Sequence, residues 1–275
     1  MRGMNRFVSL FSVAARKPKL RKWLWRHVYE FLAVVTDSNL VFMNYGYAPL
    51  SAEKDHLKLD PQDEPNRYGI ELYLHLLDAV EVRDRRVLEV GCGRGGGSAY
   101  IRNHFSPCEV IAVDYSKRAV ALCKERHRAN GLMFLRRDAE SLGFEDGRFD
   151  LVVNVESSHC YASMDTFLAE VVRVLRPGGC FLFADFRDAS EIEKLCGQLE
   201  RSGMSVLRRS DVTANIVAAL THDSGRRRAL IRSKMRRSLW QPLEQFAGVA
   251  GSIIYESLCS GQVRYVSFVM QKERR

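Results

Sequence analysis

A short apolar segment followed at once by a glycine-rich turn constrains the fold of this chain more than any other feature. Residues 87–97 read Val-Leu-Glu-Val-Gly-Cys-Gly-Arg-Gly-Gly-Gly, and residues that can begin a helix follow from Ser98. Glycines at such a turn let the backbone approach a ligand closely. Gly91, Gly93 and Gly96 also match the G-x-G-x-x-G spacing of dinucleotide-binding folds. The segment therefore predicts a nucleotide-binding turn between a buried strand and a helix.

Strand and helix patterns alternate along the rest of the chain. Further strands are predicted at 109–114, from 132, and at 149–155, 180–185, 204–211 and 262–271, and helices are predicted at 66–80, 97–104, 117–130, 164–175 and 191–202. This alternation is typical of an α/β protein with a parallel, doubly wound sheet. Ligands of such sheets bind at the carboxyl ends of the strands. Asp114 and Asp138 follow two of the strands, where they could accept hydrogen bonds from a ribose and from an adenine amino group.

The order of these motifs resembles the class I S-adenosylmethionine-dependent methyltransferases over about residues 68–186. The residues that carry the resemblance are Glu89 before the glycines, Asp114, the run Asp138-Ala139-Glu140, Phe149-Asp150, and the turn Leu-Arg-Pro-Gly-Gly at 175–179. Neither the acidic residue at 89 nor that turn is expected of nicotinamide dehydrogenases. The resemblance implies a Rossmann-like, seven-stranded, mostly parallel sheet whose last strand is antiparallel. It also implies S-adenosyl-L-methionine as the methyl donor and S-adenosyl-L-homocysteine as the product.

The resemblance implies a set of cofactor-binding residues. On the core motifs these are Glu89, Gly91, Gly93, Gly95, Asp114, Tyr115, Asp138, Ala139, Glu140 and Asn154. The segment Met-Asn-Tyr-Gly-Tyr at 43–47 is similar to a lid in tocopherol-type small-molecule methyltransferases. By that similarity, Tyr45 and Tyr47 are expected to cover the cofactor, since aromatic faces attract cations. A plain hydrophobic anchor for the N-terminal helix is the alternative for this segment.

His159 is the leading candidate for a catalytic base. It follows the fourth strand at the ligand-binding edge of the sheet, and the pKa of histidine lies near neutral pH. Glu156 is a second candidate and would orient the methionine end or the substrate. Structural roles remain open for both residues. Cys160 is discounted as a nucleophile because direct transfer from a sulfonium needs no covalent enzyme intermediate. No metal site is expected.

The finer resemblance is to the phthiotriol-type lipid and polyketide methyltransferases. It implies a bulky, hydrophobic small-molecule acceptor, most often methylated on a hydroxyl, and Tyr161, Trp240 and Phe246 are expected to contact it. Carbon methylation of an isoprenoid or aromatic metabolite is an alternative. A cofactor-binding protein or a cyclase that does not methylate is another. Methylation of protein or nucleic acid is disfavoured, because Asn-Val-Glu-Ser at 154–157 replaces the motif that serves planar amino nitrogens.

Three regions are predicted along the chain. Residues 1–65 form an N-terminal helical and lid segment, with a helix at 4–36; residues 66–211 and 262–275 form the core; residues 212–261 form a helical lid insert. The helix and the insert carry apolar stripes that the sheet cannot fully bury, which predicts a homo-oligomer. Trp23 and Trp25 lie beside basic residues, so transient contact with a membrane surface is an alternative to the oligomer.

Net charge and cysteine content limit the expected binding partners and cellular location of the protein. The net charge is +9, with basic clusters at 16–22 and 226–237 that suit an anionic membrane surface, an acidic substrate, or simply solvated helix faces. Nucleic acid is not expected as a partner, because no aromatic and basic platform occurs. The seven cysteines include no C-x-x-C pair. An odd number of scattered cysteines predicts reduced thiols and a cytoplasmic location.

Overall fold

The computed structural model describes residues 41–50 and 58–274. The predicted helix at 4–36, with Trp23, Trp25 and the basic cluster at 16–22, lies outside the described residues. Across those that are described, no helix is both long enough and apolar enough to cross a membrane.

A seven-stranded mixed sheet forms the centre of the protein. Its strands are β1 (Arg86–Val90), β2 (Glu109–Asp114), β3 (Leu132–Arg136), β4 (Phe149–Val155), β5 (Leu175–Asp188), β6 (Met204–Asp211) and β7 (Val263–Lys272). The strand order is β3-β2-β1-β4-β5-β7-β6. Neighbours from β3 to β5 pair in parallel, and β7 runs antiparallel to β5 and β6. The predicted fold class, including the antiparallel last strand, is confirmed.

Eight helices of the described chain pack on or beside this sheet. They are α1 (Arg67–Leu77), α2 (Gly96–His104), α3 (Lys117–Arg126), α4 (Met164–Val174), α5 (Ala189–Glu200), α6 (Thr213–Lys234), α7 (Arg237–Phe246) and α8 (Ile253–Cys259). Successive side chains of a strand point to opposite faces. Leu88 and Val90 therefore enter the cluster that contains α4 and α5, whereas Val87 enters the cluster that contains α1, α2, α6 and α8.

The structure extends the fifth strand beyond its predicted limits. The segment 175–179, predicted as a turn, is the irregular beginning of β5, where Leu175 pairs with Phe149 before the register shifts. Pro177 has no N–H to donate to the ladder, so it is tolerated at such an irregularity. Helix α3 ends at Arg126, earlier than predicted.

The region between β6 and β7 is helical and begins inside the core. Helix α6 spans 22 residues, and Ile216 and Leu220 in its first turns are fully buried against the sheet. Helices α7 and α8 follow and contact α6. One end of α6 is thus fixed by the core, while the other end extends toward α7.

Gly97 lies beneath the glycine turn, where α2 packs closely against α1. A Cβ at this position would overlap the Tyr73 ring of α1, and the hydroxyl of that ring donates a hydrogen bond to Glu89. We expect Gly97→Ala to lower the free energy of unfolding by about 1–3 kcal/mol, because the added methyl overpacks a filled site. Urea unfolding measures the change.

Gly225 provides the matched control for this substitution. It also lies within a helix, α6, but no atom lies within 4 Å of an added Cβ. Gly225→Ala should therefore raise the free energy of unfolding, by about 0.5–1 kcal/mol, because alanine loses less backbone entropy. Equal effects of the two substitutions would contradict the close packing of Gly97 on Tyr73.

Candidate active site

A cavity lies at the carboxyl ends of the central strands, where the strand order reverses between β1 and β4. Its volume is about 1300 Å³ with its open mouth included. The strand ends contribute Gly91, Gly93, Asp114, Asp138, Glu156, His159 and Phe186 to its wall. Residues 41–45, which precede α1, and Phe246 of α7 complete the wall. Open α/β sheets bind their ligands at this position.

The glycine turn after β1 forms the floor of the cavity. The backbone N–H groups of Gly91 and Cys92 both donate to the carbonyl oxygen of Val113, at 2.8 and 3.0 Å, which fixes the turn against β2. Gly91 has a left-handed φ of 78°, and a Cβ there would overlap the Ser157 side chain. Only glycine satisfies both conditions. The turn therefore gives a ligand close access to the backbone.

Asp114 closes the side of this turn at the end of β2. Its two carboxylate oxygens accept hydrogen bonds from the N–H groups of Gly93, at 3.0 Å, and Ser116, at 2.8 Å. Burial raises the pKa of Asp114 to about 6, although these backbone hydrogen bonds act in the opposite direction. Each carboxylate oxygen has a second lone pair, so Asp114 can still accept from the hydroxyls of a bound ribose.

Glu89 lies beneath the turn and does not line the cavity. Its buried carboxylate accepts hydrogen bonds from the Tyr73 hydroxyl, at 2.6 Å, and from the Ser98 hydroxyl. Burial raises its pKa to about 7 despite these two donors. Glu89 and Asp114 thus place partly compensated acidic groups around the site. A ligand that brings positive charge, as S-adenosylmethionine does with its sulfonium and amino groups, is favoured by these acidic groups.

His159 reaches the cavity from the short 3₁₀ turn that follows β4. Its Nδ1 lies 2.9 Å from Oδ1 of Asp185, and its backbone N–H donates to Oδ2 of the same carboxylate at 2.9 Å. Asp185 is fully buried and also accepts from Ser158 and pairs with Arg187. Two hydrogen bonds to one carboxylate fix the orientation of the imidazole ring.

The charges of this pair are strongly coupled. Burial by itself would lower the pKa of His159, but Cys160 and the Asp185 carboxylate outweigh it and raise that pKa to about 10. Burial would likewise raise the pKa of Asp185, yet His159 and Arg187 hold it well below its usual range. At neutral pH the pair is therefore an imidazolium beside a carboxylate.

Glu156 connects the segment 41–50 to the sheet. Its Oε1 accepts a hydrogen bond from the backbone N–H of Tyr45, at 2.7 Å, and another from the Tyr265 hydroxyl of β7, at 3.0 Å. Glu156 also has a left-handed φ of 46°, which is uncommon for a residue other than glycine. Burial raises the pKa of its carboxyl to about 7. The Tyr45 ring packs against Phe186, with 5.4 Å between the ring centroids, and so lies over the cavity.

Several other residues named from the sequence reach the cavity. They are Tyr115, Asp138, Ala139, Tyr161 and Phe246. The Tyr161 hydroxyl lies 2.7 Å from Ser157 Oγ and accepts a hydrogen bond from Asn154 at 2.9 Å. Asn154 itself is fully buried behind Tyr161 and supports it without lining the cavity.

Besides Glu89 and Asn154, four more of the residues named from the sequence lie away from the cavity wall. Tyr47 stacks on His75, with the ring centroids 4.6 Å apart. Glu140 accepts from the backbone N–H of Ala162, at 2.8 Å. Gly95 packs against Phe134 and His127 behind the turn. Trp240 donates to the carbonyl of Met235, and the guanidinium of Arg232 lies over its ring. These contacts hold the side chains of Tyr47, Glu140 and Trp240 against residues outside the cavity wall.

Sequence reasoning missed three residues of the site. Asp185 ends the fifth predicted strand, so the argument that selected Asp114 and Asp138 could have selected it as well. Tyr265 lies in the last strand and reaches Glu156 only because β7 inserts beside β5. Arg94 is 2% exposed and lines the cavity from within the glycine turn. Arg94 therefore places a buried guanidinium, a group that pairs well with carboxylates, beside the glycine turn.

The position of Asp114 gives a direct test of ligand binding at this edge. We expect Asp114→Ala to weaken binding of S-adenosylhomocysteine by about 1–3 kcal/mol, since buried hydrogen bonds to the ligand are lost. Isothermal titration calorimetry measures it. Glu109→Gln is the control, because Glu109 begins the same strand and pairs with Arg148 instead. Equal affinity of the Asp114 variant and the wild type would remove Asp114 from the binding site.

Comparisons with known proteins agree with this geometry. A family model described as a methyltransferase domain matches residues 88–183, which span β1 to β5. The chain is 36% identical over 256 residues to the phthiotriol/phenolphthiotriol dimycocerosates methyltransferase of Mycobacterium tuberculosis, covering 92% of this chain and 93% of that protein. It is 40% identical over 187 residues to a fatty-acid O-methyltransferase of Mycolicibacterium smegmatis, covering 67% of this chain and 66% of that protein.

The fold is shared more widely than the chemistry. The crystal structure of the cyclase SpnF superposes with a TM-score of 0.69 at 19% identity, covering 90% of this chain and 94% of SpnF. At that identity the similarity shows the fold alone. The sequence relatives carry the assignment: this chain belongs to the class I S-adenosylmethionine-dependent methyltransferases, in the family of the phthiotriol/phenolphthiotriol dimycocerosates methyltransferases.

Proposed function

We propose that this enzyme transfers a methyl group from S-adenosylmethionine to an oxygen atom of a hydrophobic, lipid-like small molecule, and that His159 contacts that oxygen. The observation that carries the proposal is the His159–Asp185 pair: His159 lies in the wall of the cavity that holds the glycine turn, and Asp185 is buried behind it. A titratable ring held by a buried carboxylate is suited to proton transfer or to binding an anionic oxygen.

The relatives support the class of acceptor. One acts on phthiotriol and phenolphthiotriol dimycocerosates and the other is a fatty-acid O-methyltransferase, by their names. The apolar part of the cavity wall is consistent with such acceptors: Phe186 packs against the His159 ring, Tyr45 packs on Phe186, and Phe246 lines the same cavity. Apolar walls with few polar groups are typical of small-molecule sites.

The residues of the site divide the chemistry among them. Bound S-adenosylmethionine supplies a methyl group on a good leaving group, so the protein mainly has to align the acceptor and exclude water. Asp185 engages Nδ1 of His159, so Nε2 is the ring nitrogen that can exchange a proton with the acceptor. Glu156 holds Tyr45 over the cavity and thereby shields the site from solvent.

A carboxylate acceptor and a hydroxyl acceptor require different protonation states of His159. A carboxylic acid is already ionised at neutral pH and needs no base, and an imidazolium at position 159 would bind its carboxylate. A hydroxyl group must lose a proton, which requires neutral His159. Because the pKa of His159 is raised to about 10, the neutral form increases as the pH rises toward that value.

We therefore predict different pH profiles of the methyl-transfer rate for hydroxyl and carboxylate acceptors. With hexadecanol, the single-turnover rate should rise by up to about tenfold per pH unit between about pH 7 and pH 9. With palmitic acid, the rate should stay level over that range and fall only as His159 loses its charge above it. Rapid-quench measurements with both acceptors test this. A level profile with hexadecanol would show that His159 does not act as the base.

Substitution of His159 tests its contact with the acceptor directly. His159→Gln should lower turnover on the preferred acceptor by roughly 10²–10⁴, since proton transfer or anion binding is lost. Its affinity for S-adenosylhomocysteine should stay close to that of the wild type. His104→Gln is the control, because His104 ends α2 and pairs with Asp63 outside the cavity. A His159 variant with the wild-type rate would leave this residue with a structural role only.

A further inference from the structure

A second cavity lies on the other side of the segment that precedes α1. The space enclosed by its lining, with open solvent included, is about 910 Å³. Its apolar wall includes Tyr68 of α1, Leu230 and Ile231 of α6, Met235 directly after α6, and Leu243 of α7. None of these residues lines the first cavity. The second cavity is therefore a separate space of similar kind.

One face of α6 forms the longest side of this cavity. The lining residues of α6 are spaced i, i+3, i+4, i+7 and i+8 from Asp223 to Ile231, the spacing of a single helix face. Arg226 and Arg227 both pair with Asp223, at 2.6 and 2.8 Å. Arg227 also donates to the carbonyl oxygens of Ala247, Asn44 and Tyr45. The Arg227 guanidinium therefore attaches α6 to the segment 41–50 and to the residue after α7, and Leu230 and Ile231 are the apolar residues that α6 contributes to the cavity wall.

The two cavities share part of their walls. Phe42, Met43, Asn44 and Phe246 line both of them. Phe246 therefore stands between the reaction cavity, which contains His159, and the apolar cavity along α6. A ligand whose reactive oxygen lies beside His159 can extend an attached chain past Phe246.

A buried polar atom marks the junction. Asn44 is 7% exposed, and its Nδ2 donates to the carbonyl of Gly69 at 3.2 Å. Its Oδ1 is buried and accepts no hydrogen bond from any residue that the structure describes. Buried amide oxygens are almost always satisfied, and leaving one without a donor costs free energy.

We propose that the cavity along α6 binds the long alkyl chain of the acceptor, and that Phe246 and Asn44 define the passage between this chain site and the reaction cavity. The proposal rests on the proposed function, because the chain belongs to the molecule that is methylated. It assigns chain-length selectivity to the inner face of α6.

Binding of fatty acids to the cofactor-loaded enzyme tests the chain site without requiring turnover. Affinities of palmitic acid and octanoic acid are measured by isothermal titration calorimetry in saturating S-adenosylhomocysteine. The wild type should bind palmitic acid at least about tenfold more tightly, because more methylene groups are buried. Ile231→Trp fills the apolar cavity and should reduce this preference by about tenfold or more. Ile253→Trp is the matched control, because Ile253 is 52% exposed on α8 and lines neither cavity.

Two results would overturn the proposal. One is a wild type that binds both acids equally, and the other is an Ile231→Trp variant that keeps the full preference for palmitic acid. Leu230→Trp serves as a second variant if Ile231→Trp does not fold, as judged by its circular dichroism melt. Methyl transfer to the same acids is assayed separately. Chain-dependent binding without any methyl transfer would count against the proposed function and leave the chain site standing.

Discussion

The site depends on the hydrogen bonds that the buried carboxylate of Glu89 accepts. Glu89 lies in β1, the strand from which the glycine turn departs, and it accepts hydrogen bonds from Tyr73 of α1 and Ser98 of α2. A buried carboxylate is tolerated only when such donors satisfy it. These two bonds therefore join three elements directly beneath the turn. Gly97 permits the arrangement, since any larger residue would displace the Tyr73 ring.

A second buried carboxylate organises the chemistry on the other side of the cavity. Asp185 of β5 orients His159 through both its Nδ1 and its backbone N–H, and Arg187 compensates the remaining charge. His159 and Asp185 each stabilise the charged form of the other. The pKa of His159 is therefore raised and that of Asp185 lowered, which favours the protonated histidine at neutral pH. Under the proposed function, this charge state suits an anionic oxygen, and a hydroxyl acceptor would need alkaline conditions.

The segment 41–50 and the helices after β6 convert this sheet edge into an enclosed site. Glu156 holds the backbone of Tyr45, and Arg227 of α6 binds the carbonyl of the same residue. The segment is thus fixed from the sheet and from the helices at once. It separates the reaction cavity from the apolar cavity, and the two meet at Asn44 and Phe246. The sheet edge carries the residues of the methyltransferase family, and this added layer forms the rest of the cavity wall.

The sequence by itself determined the sheet, the glycine turn and the acidic residues at the strand ends. These follow from periodicity and spacing, which act over a few residues, as Gly91, Asp114 and Asp138 show. Only the tertiary structure paired His159 with Asp185, 26 residues away, and turned Tyr47 and Trp240 from the cavity. Such contacts depend on strand order and helix packing, which bring distant residues together. No local pattern encodes them, because each depends on where another element comes to lie.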